Sequence, residues 1–354
     1  MRRKDILTPK EKYALYYIAK YPSSTDKDIA KMTKLKLSTV TAIRRRLRNM
    51  GIYRGVNIAL LPNMGAELLT VSYGSLNRLG KGVGENFYKD VGKSTFYLLT
   101  DGIADIAIGY EKNYTTAIKT NEKLKANMQA KGLSFENWNT VFFPAEGTYV
   151  FNLFDFSPVV SAMFDLDVPA SERKLEPHPL FSVKEVISLT KKERMGVAGF
   201  LAAPEGTDVV VSDKTKLSRQ AVASMRRRFA NKVILPARDL SLEKLGLEVV
   251  ALTHDRFNIG IEMEKKNSIL AEALTEIPAF FAVASNTDGV YLSAHRSYGE
   301  YVECHRKRLG VIAKANPKMV ETTTTVLYSV KHLTRVRDYT FLEMATEFLG
   351  LPKL

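Results

Sequence analysis

Two stretches of the chain align without a gap over 41 positions. They read LTPKEKYALYYIAKYPSSTDKDIAKMTKLKLSTVTAIRRRL at residues 7–47 and LTKKERMGVAGFLAAPEGTDVVVSDKTKLSRQAVASMRRRF at residues 189–229. Fourteen positions are identical, and they include the arginine triplets at 44–46 and 226–228. Similarity at a fixed offset indicates an internal duplication. The chain is therefore predicted to contain two structurally equivalent halves.

The first copy has the pattern of three short helices. Thr8 followed three residues later by Glu11 is typical of a capped helix start, and Ser38 is predicted to cap the third helix. The inner face of that helix is predicted from apolar residues three and four positions apart: Val40, Ile43 and Leu47. Three helices with a basic third one predict a helix-turn-helix head.

The second copy repeats this pattern with one weak point. Its inner stripe is predicted to be Val222, Met225 and Phe229. The valines at 209–211 favour a strand where the second helix belongs. Residues 51–55 (GIYRG) are predicted to turn from the first head into a wing strand that carries Arg54.

Each head is followed by a stretch that predicts strands and helices in the order βαββαβ, the ferredoxin-like arrangement. In the first half the predicted elements are a strand at 66–76, a helix at 80–92, two strands within 94–111, a helix at 113–132 and a strand at 147–154. In the second half they lie at 247–257, 264–275, 278–285, 289–295, 297–311 and 322–331, followed by a helix at 338–350.

The predicted fold class is α+β, with two winged helix-turn-helix domains alternating with two ferredoxin-like domains. The boundaries are 1–55 for the first head, 56–163 for the first body, 164–182 for a proline-containing linker, 183–240 for the second head and 241–354 for the second body with its C-terminal helix.

Positive charge is concentrated in the two heads. The net charge of the chain is +14. Residues 1–55 contain 15 Lys and Arg against four Asp and Glu, and residues 183–240 contain 12 against six. This placement indicates nucleic-acid contact rather than a basic surface that serves solubility alone.

Double-stranded DNA is therefore the predicted partner. The third helix of each head is expected to enter the major groove, where small polar side chains meet base edges and arginines meet phosphates. The candidate contacts are Ser38, Thr39, Thr41, Ala42, Arg44, Arg45, Arg46, Arg48 and Arg54 in the first half, and Arg219, Gln220, Arg226, Arg227 and Arg228 in the second.

The run NMGIYRGVNIALLPNMGAELLTVSYGSL (49–76), placed directly after such a head, resembles the leucine-responsive regulatory protein (Lrp/AsnC) family. TTTTVLYSVK (322–331) is similar to the last strand of that family. The resemblance implies a transcription regulator whose bodies pair and sense a small effector such as an amino acid. Because two copies are fused here, the bodies are expected to form a pseudo-dimer within the chain, and pairing of two chains stays open.

The resemblance also marks two loops as effector sites. In the first body it implies Asp101, Gly102 and Asp105, and in the second Asp288 and Gly289. The second loop has Leu292 where the first has Asp105. A plain hairpin turn is the alternative for both Asp-Gly pairs, because glycine tolerates positive φ.

The sequence predicts no enzyme, no cofactor and no metal site. It contains none of the phosphate-loop, HExxH or paired CxxC motifs, and Cys304 is the only cysteine. His295, Cys304 and His305 do not have the spacing of a standard metal site. A single cysteine and the lack of a long apolar run favour a cytoplasmic protein without a membrane segment.

Two alternatives remain open at this stage. Sirohaem decarboxylases resemble paired Lrp-type chains, so the fold alone does not exclude catalysis. Such an enzyme needs a basic, histidine-lined tetrapyrrole pocket in the bodies. The same arginines also suit an architectural protein that coats DNA without choosing a sequence, and the specificity ratio at fixed salt separates the two modes of binding.

Overall fold

The computed structural model describes residues 7–78, 92–130 and 132–351. The described residues form α-helices and antiparallel β-ladders, which confirms the α+β class. The helix predicted at 80–92 falls almost wholly outside the described residues.

The first half of the chain has the following elements in order. They are α1 (Pro9–Lys20), α2 (Asp26–Thr33), α3 (Leu37–Asn49), β1 (Tyr53–Ala59), β2 (Leu68–Arg78), β3 (Thr95–Thr100), β4 (Ala104–Glu111), α4 (Tyr114–Ala130), β5 (Leu133–Pro144), β6 (Tyr149–Leu153), α5 (Ser157–Met163), α6 (Ala170–Arg173) and β7 (His178–Pro179).

The second half repeats most of this order. Its elements are α7 (Lys191–Ala202), α8 (Asp208–Thr215), α9 (Arg219–Phe229), β8 (Ile234–Leu240), α10 (Leu242–Leu245), β9 (Val249–Phe257), α11 (Met263–Ala273), β10 (Ala279–Ala284), β11 (Asp288–His295), α12 (Tyr298–Ala315), β12 (Val320–Ser329), β13 (Thr334–Asp338) and α13 (Phe341–Leu349).

The chain divides into two compact units, and each is made of segments that are not contiguous. Unit 1 consists of Met1–Gly55, Tyr149–His178 and Ala237–Lys331. Unit 2 consists of Val56–Thr148, Pro179–Pro236 and His332–Leu354. The head of each half therefore belongs to the same unit as the body of the other half. The predicted domain boundaries describe contiguous segments and stay a prediction.

Unit 1 contains a six-stranded sheet in the order β12-β9-β11-β10-β6-β7. Its first four strands, with α11 and α12, have the predicted βαββαβ order. The prediction that 147–154 closes the first body is wrong, because β6 pairs with β10, with Leu153 opposite Phe281 and Val150 opposite Val283. An edge strand can pair with any open sheet edge within reach, and its own sequence does not specify which edge that is.

Unit 2 contains a five-stranded sheet in the order β13-β3-β4-β2-β5. The sequence does not predict β5, which pairs along the whole length of β2 and closes the first body. The last strand of the chain, β13, pairs with β3, with Thr334 opposite Thr100 and Asp338 opposite Tyr97. The two halves thus exchange edge strands reciprocally.

The strand after α3 has a different partner from the one predicted. Residues 51–55 lead into β1, which forms a two-stranded sheet with β8 rather than a hairpin wing of its own. Within unit 1 the Ser241 N–H donates to the carbonyl of Ile52, and within unit 2 the Leu60 N–H donates to the carbonyl of Val233. The equivalent strands of the two repeats therefore pair with each other.

The core of unit 1 lies between one face of its sheet and the two long helices α11 and α12. Leu270, Ala273 and Ile312 come from these helices and are buried against Phe257 and Tyr291 of the strands. Burying a large apolar side chain stabilises a fold by roughly 1.5–3 kcal/mol relative to exposure. This packing holds α11 and α12 against the sheet of the second body.

Candidate nucleic-acid interface

The first helix of each head begins at a reciprocal cap. The Thr8 side chain accepts from the Glu11 N–H at 3.4 Å, and the Glu11 carboxylate accepts from the Thr8 N–H at 2.8 Å. Thr190 and Glu193 repeat this arrangement at 3.4 and 2.7 Å. Two helix-terminal N–H groups are satisfied in each head, which explains why these residue types recur.

The second helix forms in both heads. Thr25 caps α2 and Thr207 caps α8, and both helices end at a lysine with a left-handed backbone, Lys34 with φ 55° and Lys216 with φ 58°. The expectation that the valines at 209–211 favour a strand is wrong. Val211 is buried in the head, so the cap and the burial of one face outweigh the weak intrinsic preference of valine.

The third helix turns its apolar stripe inward, as predicted. Val40, Ile43 and Leu47 of α3 and Val222, Met225 and Phe229 of α9 are all buried. The predicted cap at Ser38 is wrong, because α3 starts two residues earlier, with Lys36 at the N-cap and no side-chain cap bond to any described residue. Ser38 is thereby freed to lie exposed on the first turn of the helix.

Two of the three arginines in the first triplet hold the head together. Arg44 Nε lies 2.6 Å from Asp26 Oδ1, and an Arg44 terminal nitrogen donates to the carbonyl of Ser24 at 3.1 Å. Arg46 Nη1 lies 2.5 Å from Glu11 Oε1. These bonds tie α3 to the starts of α2 and α1.

The second triplet makes the same bonds. Arg226 Nε lies 2.7 Å from Asp208 Oδ1, and Arg226 donates to the carbonyl of Gly206 at 2.9 Å. Arg228 pairs with Glu193. The repeated Arg–Asp and Arg–Glu pairs therefore have a structural role inside each head. This role accounts for two of the three repeated arginines in each triplet.

The middle arginine of each triplet has a different environment. Arg45 and Arg227 are exposed, and neither makes an ion pair with another residue in the described ranges. The other exposed candidates are Ser38, Thr41, Ala42, Arg46 and Arg48 on α3, and Arg219, Gln220 and Arg228 on α9, whereas Thr39, Arg44 and Arg226 are partly buried. Thr41 donates its hydroxyl proton to Asp26 at 2.7 Å.

Arg54 does not lie on a separate wing. It projects from β1, and its Nε lies 2.9 Å from Oδ2 of Asp239, a nearly buried carboxylate. Pairing of a half-exposed guanidinium with a buried carboxylate neutralises a charge that would otherwise be costly to bury. This bond gives Arg54 a structural role in unit 1.

The predicted effector loop of the first body is built as a tight turn. Asp101 Oδ1 accepts from the N–H groups of Ile103 and Ala104 at 3.0 and 2.9 Å, and Gly102 has φ 92°. Asp105 points elsewhere, since it is buried and lines a small cavity of about 50 Å³ between the sheet and α4. The three residues therefore do not converge on one ligand position.

The corresponding loop of the second body is occupied by internal contacts. Asp288 Oδ1 lies 2.8 Å from His254 Nε2. Burial opposes ionisation of Asp288, but the hydrogen bonds from His254 and Thr287 outweigh it and hold the pKa of this carboxyl below its usual range. Gly289 packs so closely that a Cβ atom there would meet Tyr291 and Phe257.

Equivalent positions of the two bodies bury a titratable side chain. Glu111 lies opposite Leu68 in one sheet and His295 lies opposite Val249 in the other. Burial raises the pKa of Glu111, although hydrogen bonds from Ser94 and Thr120 oppose the shift. Burial, and then the nearby His305, lowers the pKa of His295 to about 4. Both sites therefore favour the neutral form.

The structure also contains a cavity that the sequence does not predict. It has a volume of about 480 Å³ and lies within unit 1. Its wall combines Tyr16 and Lys20 of the first head, Glu172 of the predicted linker, and Glu276 and Cys304 of the second body. No local signal identifies such a site, because its residues come from distant parts of the chain.

Comparison with known proteins adds one likeness. No family model matches the chain, and no curated protein matches it. Two solved chains of the siroheme decarboxylase NirDL are similar to it, one of them in complex with an iron-uroporphyrin III analogue. Each is 8% identical with a TM-score of 0.48, and the alignments cover 97% and 96% of this chain and 98% of the NirDL chains.

This finding contradicts the prediction that the chain is not an enzyme, because the similar solved chains belong to an enzyme. The resemblance to the Lrp/AsnC family stays a prediction. Among the described residues, no helix combines the length and apolar character needed to cross a membrane.

Proposed function

We propose that the two heads bind duplex DNA through α3 and α9, and that the chain serves transcription regulation of the Lrp/AsnC type. One observation supports this most directly. In each head the last helix buries its apolar stripe and leaves a polar, basic face in solvent. A helix that projects in this way from a three-helix head has the width and chemistry that a major groove admits.

The first head keeps a large excess of positive charge after its internal ion pairs are counted, and this excess supports the proposal. The described part of the first head, residues 7–55, contains 12 Lys and Arg and three Asp and Glu. Two of these carboxylates, Glu11 and Asp26, pair with Arg46 and Arg44. The remaining field is therefore strongly positive, and an anionic partner of high charge density is favoured.

The exposed side chains divide by chemistry into two roles. Arg45, Arg48 and Arg227 would contact phosphates and fix the position of each helix on the duplex. Ser38 and Gln220 lie at the start of their helices and would reach base edges, where a glutamine can pair with adenine in a bidentate manner. The heads are thus assigned both affinity and sequence preference.

We also infer the finer architecture, helix-turn-helix heads alternating with ferredoxin-like bodies. The strand order β12-β9-β11-β10, with α11 and α12, supports it for the second body. The order β3-β4-β2-β5 supports it for the first. The wing is left out of this inference, since β1 pairs with β8.

The test is a binding titration of the full chain against labelled duplexes. We expect binding at about 50 mM salt whose log affinity falls linearly with log salt concentration. A genomic footprint that selects a shared sequence would support a regulator, and equal affinity for all duplexes would support the architectural alternative. Lack of any binding to duplex DNA at low salt would overturn the proposal.

The alternative to a regulator is a tetrapyrrole-binding enzyme, and a ligand titration tests it in parallel with the DNA titration. Among the residues that line it, the cavity of unit 1 has four carboxylates, two cations and no histidine. This lining does not suit a polycarboxylate tetrapyrrole. Titration with an iron uroporphyrin, followed by its visible spectrum, is therefore expected to give no stoichiometric shift at this cavity. A tight one-to-one shift would favour the tetrapyrrole enzyme over the regulator.

A further inference from the structure

The cavity of unit 1 has the size of a small-molecule site. Its volume of about 480 Å³ falls within the range of roughly 300–1,000 Å³ that ligand pockets show. All of its wall residues belong to the same unit. Its wall includes the first helix of the first head, so a ligand there would touch both the head and the body.

Glu172 lines this cavity and has an unsatisfied acceptor oxygen. Tyr17 donates its hydroxyl proton to Glu172 Oε1 at 3.5 Å. The second oxygen, Oε2, is buried and accepts no hydrogen bond from any residue that the structure describes. The two cations that line the cavity are paired elsewhere, Lys20 with Asp155 at 3.4 Å and Arg173 with Asp167 at 3.8 Å. A buried carboxylate oxygen in this state favours a donor supplied by a ligand.

A second carboxylate lies on the body side of the same cavity. Glu276 is half-buried and makes no ion pair with another described residue. It lies near Cys304, where burial and then the Glu300 carboxylate raise the pKa of the thiol although Lys307 opposes the shift.

The wall that joins the two carboxylates is largely apolar. It is formed by Pro158, Leu166, Val168, Leu175, Leu274, Ile277 and Pro278. The remaining acids, Asp165 and Asp167, are paired with Arg296 and Arg173. Glu172 and Glu276, which have no cationic partner among the described residues, thus border an aliphatic surface.

We propose that this cavity binds an aliphatic diamine, with one ammonium group donating to Glu172, the second facing Glu276 and the methylene chain against the apolar wall. An ammonium carries three donors and no acceptor, which matches two carboxylates that need donors. The chain as a whole is strongly cationic, so a diamine is not drawn to its surface in general. The proposal does not depend on DNA binding.

The site is particular to one half of the duplicated chain. In the repeat alignment, Tyr16 corresponds to Ala198 and Lys20 to Ala202. The second head therefore lacks the side chains that form this wall. We expect one binding site per chain, not two.

The test is calorimetric titration of the full chain with cadaverine, a five-carbon diamine. We expect saturable binding with a stoichiometry of one and a raised melting temperature. Glu172→Gln is expected to weaken binding about tenfold, because it removes a charged acceptor, and Glu276→Gln is expected to weaken it as well. Glu321→Gln, an exposed carboxylate on β12, is the matched control and should bind like the unchanged protein.

Ligand controls separate the chemistry from cavity filling. 1,5-Pentanediol has the same length without charge, and glutarate has the opposite charge, so neither is expected to bind. Ser161→Leu, which narrows the cavity, should abolish binding while the circular dichroism spectrum is kept. Equal affinity of Glu172→Gln and the unchanged protein, equal binding of pentanediol, or no binding at about 10 mM cadaverine would overturn the proposal. DNA affinity is measured separately, so the failure of one proposal does not count against the other.

Discussion

The two heads use the same internal bonds and present different outer surfaces. The capping Thr–Glu pairs and the Arg–Asp and Arg–Glu pairs recur in both. By contrast, α3 presents Ser38, and α9 presents Gln220 at the same position of the repeat. The repeated acidic residues and their arginine partners build the head, whereas Ser38 and Gln220, which differ, face solvent. A repeated charged residue is therefore weak evidence for ligand contact until its internal partners are known.

Arg45 and Arg227 are the repeated arginines that internal ion pairs do not explain. Replacing them therefore gives the strongest test of DNA binding. Changing both to Ala should weaken duplex binding about a hundredfold at low salt and make the salt dependence shallower by about two phosphate contacts. Anisotropy titrations at several salt concentrations measure both effects. The control is the double variant Lys265→Ala and Lys314→Ala, at exposed positions of the second body. An equal loss of duplex affinity in this control would show that the net charge of the chain, and not these two arginines, causes the effect.

The two bodies extend the comparison to titratable groups. His295 has a pKa of about 4 in the folded protein against 6.5 when unperturbed. Its neutral form is favoured by folding, so its stabilisation is present above pH 6.5 and is lost as the pH falls towards 4. We expect stability to drop by about 2 kcal/mol between pH 7.5 and 5 on this account.

Urea titrations of the unchanged protein and of His295→Gln over this pH range measure that effect. The variant should show a flatter pH dependence. Glu111, whose pKa is raised, has the opposite sign: its stabilisation is present below its unperturbed pKa and is lost as the pH rises through the raised value. An unchanged slope in His295→Gln would assign the acid sensitivity to other groups.

The internal ion pairs are expected to differ in strength between the heads. Arg46→Ala leaves Glu11 buried without its cation and should cost about 1 kcal/mol of unfolding free energy. Arg228→Ala leaves the more exposed Glu193 and should cost a few tenths of a kcal/mol. Chemical denaturation measures both, with Arg45→Ala as the control that leaves stability unchanged. Equal costs would contradict the role of burial.

The smallest expected effect is on sequence preference. Ser38→Ala removes one exposed hydroxyl at the start of α3 and should alter the preference at one base pair by about threefold, with little change in average affinity. Selection of bound sequences from a random duplex library, compared with the unchanged protein, measures this shift. An identical selected motif would exclude Ser38 as a base contact.

Local patterns predicted the heads well because their determinants are local. Caps, helical spacing and the buried stripe all act within about four residues. The errors concern longer range. The valine run at 209–211 is helical in α8 because one of its faces is buried. The sequence of β5 has few features typical of a strand. The strands β6 and β13 pair with the body of the other half.

The candidate site was predicted in part for the same reason. The polar faces of α3 and α9 follow from helical periodicity. The internal partners of Arg44, Arg46 and Arg54 lie between 18 and 185 residues away in the chain, and no sequence spacing reveals them. The cavity around Glu172 likewise arises from segments that meet only in the folded unit.

The amino-acid sequence by itself determined the duplication, the three-helix heads, the concentration of positive charge and the inward-facing residues of each last helix. These properties depend on neighbours along the chain. The tertiary structure alone decided which arginines are bonded internally, which sheet each edge strand joins and where a cavity opens. Pairing of strands and of charges depends on which groups come within a few ångströms, and folding of the whole chain sets those distances.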